Sequence, residues 1–180
     1  MISNVVSNEE LVDIPFSFMV NLRRYMSDFT TFYGNAVIDI PCILTCEKTL
    51  NAKRDAWRLA SSLSQKMREI VTSGEPLRVL REELPVIDFD NMADLGPREV
   101  LALSHVGQVD GMLDSIPSFE LEDFRGNVNT NADYGPIFYL VTHIFKDELN
   151  FCLAYNTGIT SDKTAQDMAD NIKTIISDMI

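Results

Sequence analysis

The chain has 180 residues, a formal net charge of −12, and 46% hydrophobic against 23% charged residues. That length suffices for one domain with a substantial core, residues 1–180 read as a single unit. No run approaches the roughly 18 to 20 consecutive apolar residues of a membrane span. The strongly negative field opposes nucleic-acid phosphates and anionic lipid, which argues against binding to either.

The opening residues Met1 to Glu10 have neither the basic segment nor the apolar core of a secretion signal. The internal Lys146-Asp147-Glu148-Leu149 is not a retention address, which is read only at a C-terminus. Cys42, Cys46 and Cys152 make an odd set, each inside an apolar run, and none forms a pair at zinc-ligand spacing. They read as small buried hydrophobes in a reduced, cytoplasmic setting. On an extended segment Cys42 and Cys46 stand about 13 Å apart, too far for a disulfide or a shared metal.

In chain order, Ile14, Phe16, Phe18, Val20 and Leu22 alternate with Pro15, Ser17, Met19, Asn21 and Arg23. This is the period of a strand with one buried face, ending at Asn21 to Arg24. Ala36 to Thr45 is apolar on both faces apart from Asp39, as in a strand deep in a sheet, while Pro41 demands an edge or a break. From Asn51 to Thr72 a helix is predicted, with Ala56, Ala60, Leu63, Met67 and Ile70 inward and Trp57 and Val71 widening the stripe. Lys53, Asp55, Arg58, Lys66 and Glu69 take its wet side, and Gly74 and Pro76 stop it.

A short helix over Leu77 to Glu83 follows, then an acidic, irregular stretch from Pro85 to Gly96. Asp88, Asp90 and Asp94 there lack the glycine and terminal glutamate of a calcium loop, so they read as a solvated connector. Strands are expected over Val100 to Ser104 and Phe119 to Phe124, with Glu120, Glu122 and Asp123 on the polar face or exit of the latter. Ile137 to Tyr155 reads as a hairpin whose turn carries Lys146, Asp147 and Glu148. After Gly158, Ser161 caps a helix burying Ala165, Met168, Ala169, Ile172, Ile175, Ile176 and Met179.

Three blocks occur in a telling order. Asn21-Leu22-Arg23-Arg24-Tyr25 together with Phe32-Tyr33-Gly34-Asn35 makes the first, Leu103-Ser104-His105-Val106-Gly107 the second, and Asp133-Tyr134-Gly135-Pro136-Ile137-Phe138, leading into the hairpin, the third. Together they resemble the C-terminal half of the chloramphenicol-acetyltransferase-like acyltransferases, a superfamily that includes alcohol acyltransferases and condensation domains. The resemblance implies an α/β fold of the two-layer α+β kind: a mixed sheet with a long helix and a C-terminal helix packed on it.

It also implies a channel between two halves, which admits an acyl thioester on coenzyme A or a carrier protein from one side and an acceptor from the other. In such enzymes the base belongs to a His-His-x-x-x-Asp-Gly motif in the other half, and that motif does not occur among these 180 residues. The implied role is therefore one wall of the channel, with no tightly bound cofactor, no metal and no catalytic residue of its own. Asn21, Arg23, Gly34, Asn35, Ser104, His105 and Asp133 are the channel or inter-half candidates. Arg23 and Asn35 chiefly set architecture, with Asp133 a suitable carboxylate partner for Arg23.

His143 and Asp147 match His-x-x-x-Asp, but they lie in the hairpin and stand about 13 Å apart if extended. His105 is followed by Asp110-Gly111, one residue too long for the motif and without a preceding His. It reads as a strand-end residue bonded to backbone, in a loop near the channel. A Cys-His nucleophile, a Gly-x-Ser-x-Gly elbow and phosphate-binding glycine loops find no support in the spacing. The expected partner is a complementary N-terminal catalytic half, or a second copy through exposed apolar surface. The alternative is a non-catalytic domain of the same fold used for protein interaction.

Overall fold

A computed structural model describes residues 11–26, 36–47, 52–83, 99–110, 120–126, 128 and 135–179. The alternation at the start becomes β1 (Leu11–Asn21), closed by a single 3-10 turn at Leu22–Tyr25. It pairs antiparallel with β2 (Val37–Glu47), so that Phe16 lies opposite Cys42 and Phe18 opposite Ile40. Phe16, Phe18, Val20, Ile38 and Ile40 are all buried on one face. At about 1.5–3 kcal/mol for each large side chain, an upper estimate because unfolded chains already bury some surface, this cluster is the main stabilising element.

The sheet order is β2-β1-β3-β4-β5, so β2 is an edge strand and not the interior strand its apolar run suggests. Nor is β2 broken: Pro41 sits in unbroken register opposite Ser17. An edge strand has one unbonded side, and a residue lacking an N–H fits there without costing a ladder bond. Cys42 and Cys46 lie along this strand; they and Cys152 are reduced thiols and only half-buried.

The inner face is covered by α1 (Ala52–Ser73), through Leu63, Met67, Ile70 and Val71. Three expectations for α1 need correction. Trp57 is 64% exposed, because the half-buried residues Ala56, Leu59, Leu63, Met67 and Ile70 form the stripe and Trp57 lies one residue off it; Ala60 is exposed as well. Asp55, expected on the wet side, is buried and accepts the Arg54 guanidinium at 2.9 Å. Its first-turn position also suits a negative charge.

Gly74, at φ 84°, ends α1 in the left-handed conformation that glycine adopts without a Cβ penalty. A four-residue helix α2 (Glu75–Arg78) and a π turn at Val79–Glu83 follow, so the second helix begins slightly earlier than its sequence implies. Asp88, Asp90 and Asp94 lie outside the described residues.

β3 (Leu101–Gln108) runs parallel to both β1 and β4 (Phe138–Phe145), and β5 (Glu148–Tyr155) closes the sheet antiparallel to β4. The β4–β5 hairpin turns on Lys146 and Asp147, both at positive φ, as a two-residue turn matched to strand twist requires. Residues 120–126 form no strand, contrary to the alternation of Phe119 to Phe124. They pack over the sheet, with Phe124 edge-on to the His143 ring.

α3 (Asp162–Met179) begins as expected at Ser161, whose Oγ accepts the Thr164 N–H at 3.1 Å. It packs beside α1 and over β5, anchored where the Tyr155 hydroxyl donates to Asp162 at 2.8 Å. No helix among the described residues is long and apolar enough to cross a membrane.

Candidate functional site

β1, β3 and β4 are mutually parallel, so their carboxyl ends emerge at one edge of the sheet. β1 and β3 pair only from Phe16–Leu101 to Phe18–Leu103; beyond that, β1 stays with β2 and β3 with β4. The result is a seam, with Met19 and Asn21 on one side and Ser104, His105 and Val106 on the other. Carboxyl ends of parallel strands that part from one another are favoured places for ligands in open sheets.

Asn21 serves architecture at this seam: its Oδ1 accepts the backbone N–H of Arg23 at 3.0 Å and so caps the 3-10 turn. The Arg23 side chain is partly buried. Gly34, Asn35 and Asp133 lie outside the described residues, and with them the suggested Arg23–Asp133 pairing. Ser104 and His105 are neighbours on β3, pointing by strand alternation to opposite faces.

His105 is not in a loop and its ring nitrogen is not bonded to backbone. It lies within β3, and its Nδ1 is 2.9 Å from Thr142 Oγ1 on β4. Immediately afterwards the β3–β4 register slips between His105 and Gln108, a bulge made possible by Gly107 at φ 90°. Beyond the bulge β3 and β4 pair again at Gln108 and Ile144. Val109, buried, then bonds through its N–H to Ile144, and Asp110 Oδ1 accepts the Lys146 backbone N–H at 2.5 Å. That bond holds the Asp110 carboxyl below its usual range.

The sheet face turned away from α1 carries a polar group that periodicity alone does not reveal. Register and alternation bring Ser17, Asp39, Ser104 and Tyr139 to this one face. Burial pushes the Asp39 carboxyl above its usual range. The Ser17 hydroxyl opposes that shift but lies outside hydrogen-bond geometry, leaving Ser17 Oγ and Asp39 Oδ1 buried without partners among the described residues. Tyr139 is pushed up by burial and then by the Asp39 charge, with the Ser104 hydroxyl opposing. Asp39 was visible as the one charge in an apolar run; Ser17 and Tyr139 carried no signal of their own.

A cavity of about 830 Å³ opens between the end of β1 and α1, with Asn21, Arg24, Met67 and Arg68 in its wall. Neither guanidinium is ion-paired among the described residues, although the Arg24 guanidinium lies 5.7 Å from the Tyr25 ring centre. Two cations in one cavity wall, neither ion-paired among the described residues, make an anion-receptive spot on a chain of net charge −12. His143 is not joined to Asp147: it pairs across the hairpin with Asn150, and Asp147 occupies the tip. Among the described residues no cluster of three or more His, Cys, Asp or Glu is placed to hold a metal ion.

The architecture is α+β: a mixed five-stranded sheet with the long helix α1 and the C-terminal helix α3 packed against it. It is similar to the crystal structure of the epimerization domain from the third module of tyrocidine synthetase B, with a TM-score of 0.58 and 15% identity. The similarity covers 92% of this chain but 36% of that one, so the chain spans little more than a third of the structure it resembles. No family model and no curated protein matches the sequence.

Proposed function

We propose that the chain acts as the C-terminal half of a thioester-dependent O- or N-acyltransferase or condensation-type enzyme and forms one wall of its substrate channel. The observation that carries this reading is the extent of the structural likeness: nearly the whole chain corresponds to about a third of a larger domain. A fragment of that kind needs a complementary half to complete a channel. The seam between β1 and β3, flanked by Asn21 and Ser104, is the surface suited to line it. Arg24 and Arg68 beside Asn21 suit the phosphate of an acyl-CoA or of a carrier-bound pantetheine arm.

In this reading the chain supplies positioning and electrostatics, and the base comes from the His-His-x-x-x-Asp-Gly motif of the partner half. The test is release of free thiol from acyl thioesters, measured with the chain alone and with such a half added. Activity is expected only in the combination, and the charge reversals Arg24→Glu and Arg68→Glu are expected to raise KM for the thioester. Turnover by the isolated chain would overturn the assignment of the base to the other half.

A further inference from the structure

A second cavity, of about 580 Å³, lies under residues 123–126 on the β4–β5 hairpin, away from the β1–β3 seam. Its floor is His143, 3% exposed, with both ring nitrogens buried and without a hydrogen-bond partner among the described residues. The ring stands edge-on to Phe124, with centroids 4.8 Å apart. Asn150, opposite His143 in the ladder, and Cys152, one diagonal position away, share the wall.

A buried imidazole with no hydrogen-bond partner among the described residues leaves desolvated polar atoms that a ligand can satisfy. A head group that can both donate and accept pairs with whichever ring nitrogen it reaches, in either tautomer of the imidazole. From this geometry we infer that the cavity is a binding site for a small neutral amphipathic molecule. Its apolar body lies against Phe124 and Cys152, and its single head group, a hydroxyl or carboxamide, meets His143.

The volume falls within the roughly 300–1,000 Å³ of small-molecule sites. Neutrality follows from the lining: its two charges among the described residues, Asp123 and Arg125, pair with each other at 2.8 Å and so offer no net charge to an ion. Gly126 lets the covering segment approach the sheet closely, since a Cβ there would stand 3.0 Å from Val141 Cγ1. The site stands independently of the acyltransferase reading.

The chain has two histidines, so the ring resonances of His143 are assignable by comparison with His105→Asn. Phenol and benzamide, titrated against the full chain, are expected to shift the His143 ring nitrogens saturably. Toluene, which keeps the ring without the head group, should bind at least tenfold more weakly, and benzoate should not compete. In His143→Phe the preference for phenol over toluene should vanish, and in His143→Gln, which retains a donor and an acceptor, it should persist. No shift at His143, equal binding of phenol and toluene, or preference for benzoate would overturn the inference; the first would mean that the cavity holds only water.

Discussion

His105 Nδ1 lies 2.9 Å from the Thr142 hydroxyl, a side-chain bridge between parallel strands at the last paired position before the β3 bulge. The bond fixes an exposed imidazole at the sheet edge where β1 and β3 part. On the proposed reading the base belongs to the other half, which leaves His105 no more than a positioning role. Replacing a general base typically costs 10²–10⁴-fold in rate. If the proposed function holds, His105→Ala in the chain combined with a complementary half is expected to lower thiol release by less than about tenfold, and a loss above about a hundredfold would make His105 the base.

Gly107 holds the bulge at φ 90°, and a Cβ there meets nothing within 4 Å. The cost of Gly107→Ala is then the left-handed backbone alone, about 1–2 kcal/mol. Urea denaturation should show that loss with an unchanged m-value. A neutral result would mean that the bulge relaxes into regular pairing.

Asp39 couples stability to pH. Burial raises its folded-state pKa above the unfolded value, so the folded chain binds more protons in the window between the two. Stability falls as pH rises through that window and stays lower above it. Asp39→Asn removes the penalty: the melting temperature should rise at about pH 7 and match the parent at about pH 3, where both states are protonated. An Asn variant less stable than the parent at neutral pH would show that the charge has a partner the buried oxygen needs.

Asp110 has the opposite sign. The Lys146 backbone N–H lowers its pKa, so its contribution is present above the unfolded value and is lost as pH falls through the folded one. Asp110→Ala should lower the protection factor of the Lys146 amide near neutral pH, and acidification should lower it likewise in the parent once the slower intrinsic exchange at low pH is divided out. Exchange unaltered by the substitution would mean that the turn holds its own geometry at Lys146 and Asp147.

Much of the fold was legible because it is local. The alternation of Ile14 to Leu22, the inward residues Leu63, Met67 and Ile70, the stops at Gly74 and Pro76, the Ser161 cap and the charged hairpin turn each follow from residues a few positions apart. The order of the Asn21, Ser104 and Gly135 blocks likewise pointed to the architecture the structure has.

Tertiary structure decided whatever depends on partners distant in sequence. Phe16 to Phe18 pairing with Leu101 to Leu103 puts β2 at the edge and opens the seam, and no local pattern encodes a parallel pairing across an intervening helix. Phe119 to Phe124 alternates like a strand, yet residues 120–126 join no ladder, and Phe124 lies instead against His143 on the sheet face. Ser17, Asp39, Ser104 and Tyr139 meet only through register across four strands. His143, a plausible decoy in sequence, became the floor of a cavity because β5 sets Asn150 and Cys152 beside it and Phe124 closes over it. Periodicity determined which side chains turn inward, and the pairing of distant strands determined which polar groups they enclose.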